Sequence, residues 1–258
     1  MASAPAIRLH EASFTYPDGT TGLREVSFAI EAGESVGIVG PNGAGKSTLA
    51  LVLLGFLLPE HGRAEIGGVR VERRSLSEVR RRVGLVFENP DDQLFLGTVL
   101  EDVAFGLLNR GMPAERAREL ALAALERVGL GAAADRFPGH LSSGQKRAAA
   151  IATVLALEPE VVVVDEPSAN LDPRARRRVI ELIRALPGTR LVISHDLELV
   201  LDCCGRVLLL DEGRLVADGA ATELLGDGTL LEAHGLEKPH SLMSSGEHAH
   251  VHAERHQR

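Results

Sequence analysis

"GPNGAGKST", residues 40–48, lies between a short apolar run, "SVGIV" (35–39), and a longer one, "LALVLLGFLLP" (49–59). From Gly40 to Ser47 it fits the pattern G-x-x-x-x-G-K-[ST], with a strand expected before it and a helix after it. Gly40, Gly43 and Gly45 let backbone N–H groups turn inward on phosphate oxygens with no side chain in the way. Pro41, Asn42 and Ala44 complete the loop, and Thr48 continues it into the helix. Lys46 suits the β- and γ-phosphates of a nucleotide, and the Ser47 hydroxyl suits a Mg²⁺ ion. The alternative is a glycine-rich turn that only opens a helix.

On the N-terminal side, "AIRLHEASFTY" (6–16) and "LREVSFAI" (23–30) alternate in strand fashion, with turns at Pro17-Asp18-Gly19 and Glu31-Ala32-Gly33. On the C-terminal side, "RAEIGG" (63–68) and "VGLVF" (83–87) read as short strands. The texture is helical from Leu100 to about Ala156, where "PAERARELALAALERVGL" (113–130) opens on Pro113 and closes near Gly129. Strand texture returns in "VVVVDEP" (161–167) and "RLVISHD" (190–196), with a helix expected over 173–186 between them and a hairpin over 206–219. Pure apolar runs that end in polar residues predict an α/β core with a mainly parallel sheet. The antiparallel N-terminal strands form a side layer, and the helical stretch is an inserted subdomain. The expected organisation is a core of residues 1–90 and 157–235, a helical subdomain of 91–156 and a tail of 236–258. The run 49–59 is about half the length of a bilayer span and is expected to be a buried core helix.

Ligands of such sheets sit beyond the carboxyl ends of the strands, so the polar residues there carry the chemistry. Asp165 ends a four-valine strand and is a Mg²⁺ candidate, and Glu166 after it is placed to act as general base on a water. His195 ends another apolar strand; it either reaches a γ-phosphate or caps the next helix. Tyr16, the single tyrosine, either stacks on a nucleobase or packs at its strand end.

"HLSSGQKRAAA" (140–150) adds a second anion-ready helix start, with Ser142 or Ser143 as its cap. With the loop at Gly40 it resembles the ATPase subunits of ABC transporters, whose "LSGGQ" signature stands here as "LSSGQ" (141–145). The resemblance covers about residues 5–225 and implies an ABC-type P-loop ATPase fold, with ATP and Mg²⁺ as ligands. In that family two ATPase domains pack head to tail. It follows that Ser142, Ser143, Gly144 and Gln145 serve the ATP of a second protomer. "SANLD" (168–172) resembles the loop that crosses the dimer, with Asp172 as its anchor, and "VFENPDDQLFLGTVLEDVAFG" (86–106) resembles the segment that senses nucleotide and contacts the membrane partner. Catalysis then falls to Glu166, His195 and Lys46, and Mg²⁺ to Ser47, Asp165 and Glu88. Glu88 departs from the family's usual glutamine, and Gln93 is not expected to replace it.

"NPDDQLF", "LSSGQKR" and "LLEAHGLEKP" resemble, more narrowly, the energy-coupling-factor branch and its cobalt/nickel ATPase subunits. This implies a transmembrane coupling protein and a substrate-capturing membrane subunit as partners, and a homodimer or a paralogous heterodimer at the cytoplasmic face of the membrane. The same motor serving a vitamin importer, or a soluble ABC ATPase outside transport, is the alternative. Six of the ten histidines fall in 234–258, where His248, His250, His252 and His256 either bind a transition metal or belong to a tail that is only histidine-rich. The net charge of −8 gives a nucleic-acid partner no support, and "RVERRSLSEVRRR" (70–82) and "RARRR" (174–178) read as solvated helix faces. No basic n-region leads into an apolar core at the start of the chain, and adjacent Cys203 and Cys204 form no disulfide framework, so a cytosolic protein is expected.

Overall fold

In strand β7 (Val161–Asp165) the four valines divide by parity between two cores. Val161 and Val163 face one and Val162 and Val164 the other, as the two-residue period of a strand requires. The computed structural model describes residues 4–243.

The chain begins with β1 (Ile7–Thr15) and β2 (Thr21–Ile30), an antiparallel hairpin. Next come β3 (Ser35–Val39), α1 (Lys46–Leu53), β4 (His61–Ile66), β5 (Val69–Arg70), α2 (Leu76–Arg82) and β6 (Val83–Val86). Helices α3 (Val99–Asn109), α4 (Ala114–Arg127) and α5 (Ser143–Leu155) precede β7, and α6 (Pro173–Arg184), β8 (Thr189–Ile193) and α7 (Leu197–Cys203) succeed it. β9 (Arg206–Asp211) and β10 (Arg214–Ala220) form the expected hairpin, and α8 (Ala221–Leu224) and α9 (Gly228–Ala233) follow.

Six strands form the main sheet in the order β10-β9-β3-β8-β7-β6, parallel except for β10. The order places β3, β8 and β7 side by side, so the segments after Val39, Ile193 and Asp165 open at the same edge. A four-stranded antiparallel sheet, β2-β1-β4-β5, covers one face together with α1 and α2. The long helices cover the other face. Leu100, Val103, Leu125 and Ile151 share a continuous core there with Val162, Val164 and Val192 of the sheet.

The apolar run 49–59 departs from its expected form. The helix stops at Leu53, and Gly55 takes a left-handed φ of +66°. Phe56 beyond it is 58% exposed, under the guanidinium of Arg80 at 4.9 Å. Glycine after the last turn thus outweighed apolar continuity. Among the described residues no helix is long and apolar enough to cross a membrane.

Candidate functional site

The loop after β3 is shaped by its glycines. Gly40, Gly43 and Gly45 all have positive φ, and Gly45 at +100° is the N-cap of α1. A Cβ on Gly40 would lie 2.0 Å from the Leu210 carbonyl oxygen, and one on Gly45 2.4 Å from that of Gly22. A Cβ on Gly43 would meet nothing within 4 Å, so only its φ requires glycine. Because the N-cap has no side chain, the amides of α1's first turn have no side-chain cap. An uncapped helix start with no acidic residue in its first turn is a place for an anion.

Lys46 Nζ donates to the carbonyls of Gly40 (2.7 Å) and Pro41 (2.9 Å), which holds the ammonium over the loop. Burial lowers its pKa, and Glu166 and Asp165 act in the opposite direction. Gly40 and Pro41 therefore serve through their carbonyls and do not line the cavity that follows. Asn42 through Thr48 do line it.

That cavity, of about 440 Å³, brings together most of the residues picked out by sequence. Tyr16, Glu88, Asp165, Glu166 and His195 share its wall with the loop. Asp165 is half-buried, and burial, Glu166 and Glu88 push its carboxyl up to about 6, against the pull of Lys46 and Arg147. Crowded carboxylates beside the Ser47 hydroxyl are hard oxygen donors of the kind Mg²⁺ prefers. Among the described residues no group of three or more His, Cys, Asp or Glu side chains forms a metal cage.

Glu166 sits at φ +39°, a left-handed backbone for a non-glycine residue, with its N–H donating to the Ile193 carbonyl at 2.9 Å. Its side chain is 14% exposed and meets His195 twice. The His195 amide donates to Oε1 at 3.0 Å, and Nδ1 of the ring lies 2.8 Å from Oε2. The helix-capping alternative for His195 falls to its neighbour: Asp196 is the N-cap of α7 and accepts from the Leu199 amide at 3.0 Å. Tyr16 packs edge-on against Phe14 at 5.0 Å, and its hydroxyl lies 3.0 Å from Thr48 Oγ1. Glu88 is exposed on the rim. Gln93 is turned away from the cavity, donating to the Ala150 carbonyl and Thr153 Oγ1 and accepting from the Phe87 amide.

Ser142 to Gln145 and Asp172 do not line this cavity. Ser142, not Ser143, caps α5. Its hydroxyl accepts from the Gln145 amide at 3.3 Å, and Gln145 Oε1 accepts from the Ser142 amide at 3.0 Å, a reciprocal capping box. Asp172 caps α6 by accepting from the amides of Arg174 and Ala175, and those bonds lower its pKa. The two helix starts adjoin, since a Cβ on Gly144 would come within 2.8 Å of Ala175 Cβ. The tail histidines His248, His250, His252 and His256 lie outside the described residues.

Several participants escaped the sequence reading. Ser194, fully buried, donates to Glu166 Oε2 at 2.9 Å. Asp196 takes a bidentate pair from Arg176 and a hydrogen bond from Ser168. Arg147, 2% exposed, donates to the Phe87 carbonyl at 2.6 Å, and burial lowers its pKa against the pull of Glu88, Asp165 and Glu166. Its position one helical turn after Ser143 was the available signal. Thr20, Thr21 and Gly22 line the cavity from the first hairpin, with no motif to mark them.

A family model described as ABC transporter matches residues 23–169. The energy-coupling factor transporter ATP-binding protein EcfA of Methanothermobacter thermautotrophicus is 43% identical over 238 residues, 90% of this chain and 76% of that protein. Among solved structures, cbiO1 of Clostridium perfringens, described as part of the ABC transporter complex cbiONQ, superposes with a TM-score of 0.80. It is 33% identical, over 89% of this chain and 94% of that one. The ATP-binding cassette MJ0796, solved as a dimer bound to ADP and Pi, gives a TM-score of 0.75 at 28% identity, over 83% and 98% of the two chains. The chain belongs to the ATP-hydrolysing subunits of ABC transporters, in the branch of the energy-coupling-factor ATP-binding proteins.

Proposed function

We propose that this subunit powers import of Co²⁺ or Ni²⁺ as a dimer with composite ATP sites, peripheral to the cytoplasmic face of the membrane. Residues 1–90 and 157–235 form the catalytic core, and 91–156 carry the signature. A transmembrane coupling protein and a substrate-capturing membrane subunit complete the importer. The resemblance of "NPDDQLF", "LSSGQKR" and "LLEAHGLEKP" to cobalt/nickel ATPase subunits and the histidines of the tail support the metal substrate.

The observation that carries the catalytic reading is the side-by-side placement of Asp165 and Glu166 in one cavity with Lys46 and Ser47. The α1 amides and Lys46 hold the phosphates, and Tyr16 gives the base an aromatic face. Ser47, Asp165 and Glu88 would hold Mg²⁺, which when bound neutralises charge on the β- and γ-phosphates. Glu166 accepts the proton of the attacking water, and His195 fixes the γ-phosphate relative to it. Ser142, Ser143, Gly144 and Gln145 close on the ATP of the other protomer, with Asp172 anchoring the loop between them. This explains why their helix start stands away from the cavity of its own chain.

The test is Glu166→Gln. ATP binding should persist, hydrolysis should fall by at least about 10²-fold, and ATP should accumulate a stable dimer. With the membrane subunits present, ATP-driven uptake of Ni²⁺ or Co²⁺ should stop in the same variant. Hydrolysis near the wild-type rate overturns the assignment of the base, and uptake of a vitamin but no metal overturns the substrate.

A further inference from the structure

Three groups from one stretch of backbone hold the carboxylate of Glu166, and they differ in how free they are to leave. The ring of His195 lies 2.8 Å from Oε2, but its side chain is 68% exposed and has space to turn away. The His195 amide donates to Oε1 at 3.0 Å and more weakly to Oε2 at 3.3 Å. The Ser194 hydroxyl donates to Oε2 at 2.9 Å from a site with no solvent exposure.

Ser194 is itself fixed from both sides. Its amide donates to the Ile38 carbonyl of β3 at 3.2 Å, and its Oγ accepts from the Asp196 amide at 3.1 Å. Asp196 is locked in turn by the bidentate pair with Arg176 and by the Ser168 hydroxyl. The hydroxyl proton therefore has one useful direction, toward Oε2.

We infer that Ser194 is a positioning residue for hydrolysis: its hydroxyl keeps Oε2 anchored, and so Oε1 aimed at the water, when the His195 ring leaves Glu166 for the γ-phosphate. The inference rests on the reading of Glu166 as general base. It gives the two carboxylate oxygens different duties. Oε2 is the anchor, with two close donors, and Oε1 is the proton acceptor, with the one amide at 3.0 Å. A base that swings loses near-attack geometry, which appears in turnover and not in binding.

The experiment uses the full chain with ATP and Mg²⁺. Ser194→Ala should lower kcat about tenfold, the loss of one charge-assisted hydrogen bond, with KM for ATP changed less than about twofold. Ser194→Thr, which keeps the hydroxyl, should recover most of that loss. Ser194→Cys, close in volume but a weak donor, should resemble alanine and carries the comparison should alanine fail to fold. In the Glu166→Gln background, Ser194→Ala should leave the residual rate unchanged, because the serine acts through the carboxylate. Wild-type kcat in both the alanine and cysteine variants, beside a slow Glu166→Gln, overturns the role of Ser194 alone. An equal further loss in the Glu166→Gln background, or a folded threonine variant no faster than alanine, makes the residue structural and also overturns it. If Glu166→Gln itself hydrolyses at the wild-type rate, the reading of the base fails first and this inference with it.

Discussion

The two helix starts proposed to face nucleotide, those of α1 and α5, are built by opposite means. At α1 the N-cap is a left-handed glycine, no side chain caps the first turn, and backbone carbonyls of Leu210 and Gly22 approach so closely that Gly40 and Gly45 admit no Cβ. At α5 a serine in extended conformation caps the turn and a glutamine closes the box. The first arrangement leaves its amides for a ligand and stiffens the loop by backbone contact. The second satisfies amides within the chain, so α5 is stable without a phosphate and its serines stay at an exposed edge. On the proposed reading, one site is made by the chain for itself, and the other is a finished surface for a second chain.

The sharpest break between the two is expected at Gly45. Gly45→Ala places a Cβ 2.4 Å from the Gly22 carbonyl oxygen at a φ of +100°, so the loop must open. ATP affinity measured by calorimetry should fall by at least about 10²-fold, a loss of ~2.7 kcal/mol. Gly43→Ala meets no atom within 4 Å and should lose several-fold less. Equal affinities for the two variants would remove the close-packing account of the loop.

A mixed dimer tests whether α5 serves another chain. Lys46→Ala removes the phosphate lysine. Ser142→Asp keeps an N-cap residue but adds a carboxylate where a phosphate would approach. Each variant alone should hydrolyse ATP at a few per cent of the wild-type rate or less. Mixed, they leave one composite site with both halves intact, and hydrolysis should rise well above the sum of the two. No gain in a mixture shown to contain heterodimer would make the signature a feature of its own chain only.

The first helix start was easier to read than the second for a physical reason. Glycines at fixed spacing before Lys46 and Ser47 have little other use, and four valines before Asp165 can only be a strand buried on both faces. Ser142 and Ser143 were equivalent as caps in sequence. The choice was settled by which one places its hydroxyl against the Gln145 amide. Ser194 and Arg176 were invisible, since a serine at a strand end and an arginine in a basic helix each have many ordinary roles. Their meaning comes from contacts 28 and 20 residues away, with Glu166 and Asp196. The run 49–59 is not one buried helix because Gly55 turns the chain at a positive φ after Leu53 and leaves Phe56 exposed.

Glu88 offers a gentler test of how self-sufficient the α1 site is. A carboxylate on the rim would add a donor for Mg²⁺ and negative charge near bound phosphates, and it is one cause of the raised Asp165 pKa. Glu88→Gln should shift the Mg²⁺ concentration for half-maximal hydrolysis by several-fold and lower the Asp165 pKa. An unchanged Mg²⁺ titration with an unchanged rate would place Glu88 outside the site.

The smallest effect separates a serine that caps from one that does not. Ser142→Ala removes the acceptor of the Gln145 amide and one half of the capping box. Cap losses of this kind cost about 1 kcal/mol, so a chain of this size should melt about 2–4 °C lower. The 3.3 Å length of the bond puts the expected loss at the low end. Ser47→Ala, in the first turn of α1, removes no cap, so the nucleotide-free protein should melt within about 1 °C of wild type. Adding ATP and Mg²⁺ should reverse the ranking. Ligand-induced stabilisation falls in Ser47→Ala, because the hydroxyl that would meet Mg²⁺ is gone, and monomeric Ser142→Ala keeps it in full. A scanning calorimetry series with and without nucleotide reads both halves. Should Ser142→Ala lose ligand stabilisation as a monomer, or Ser47→Ala melt as low as the cap variant without nucleotide, the division between a self-capped start and a ligand-facing one fails.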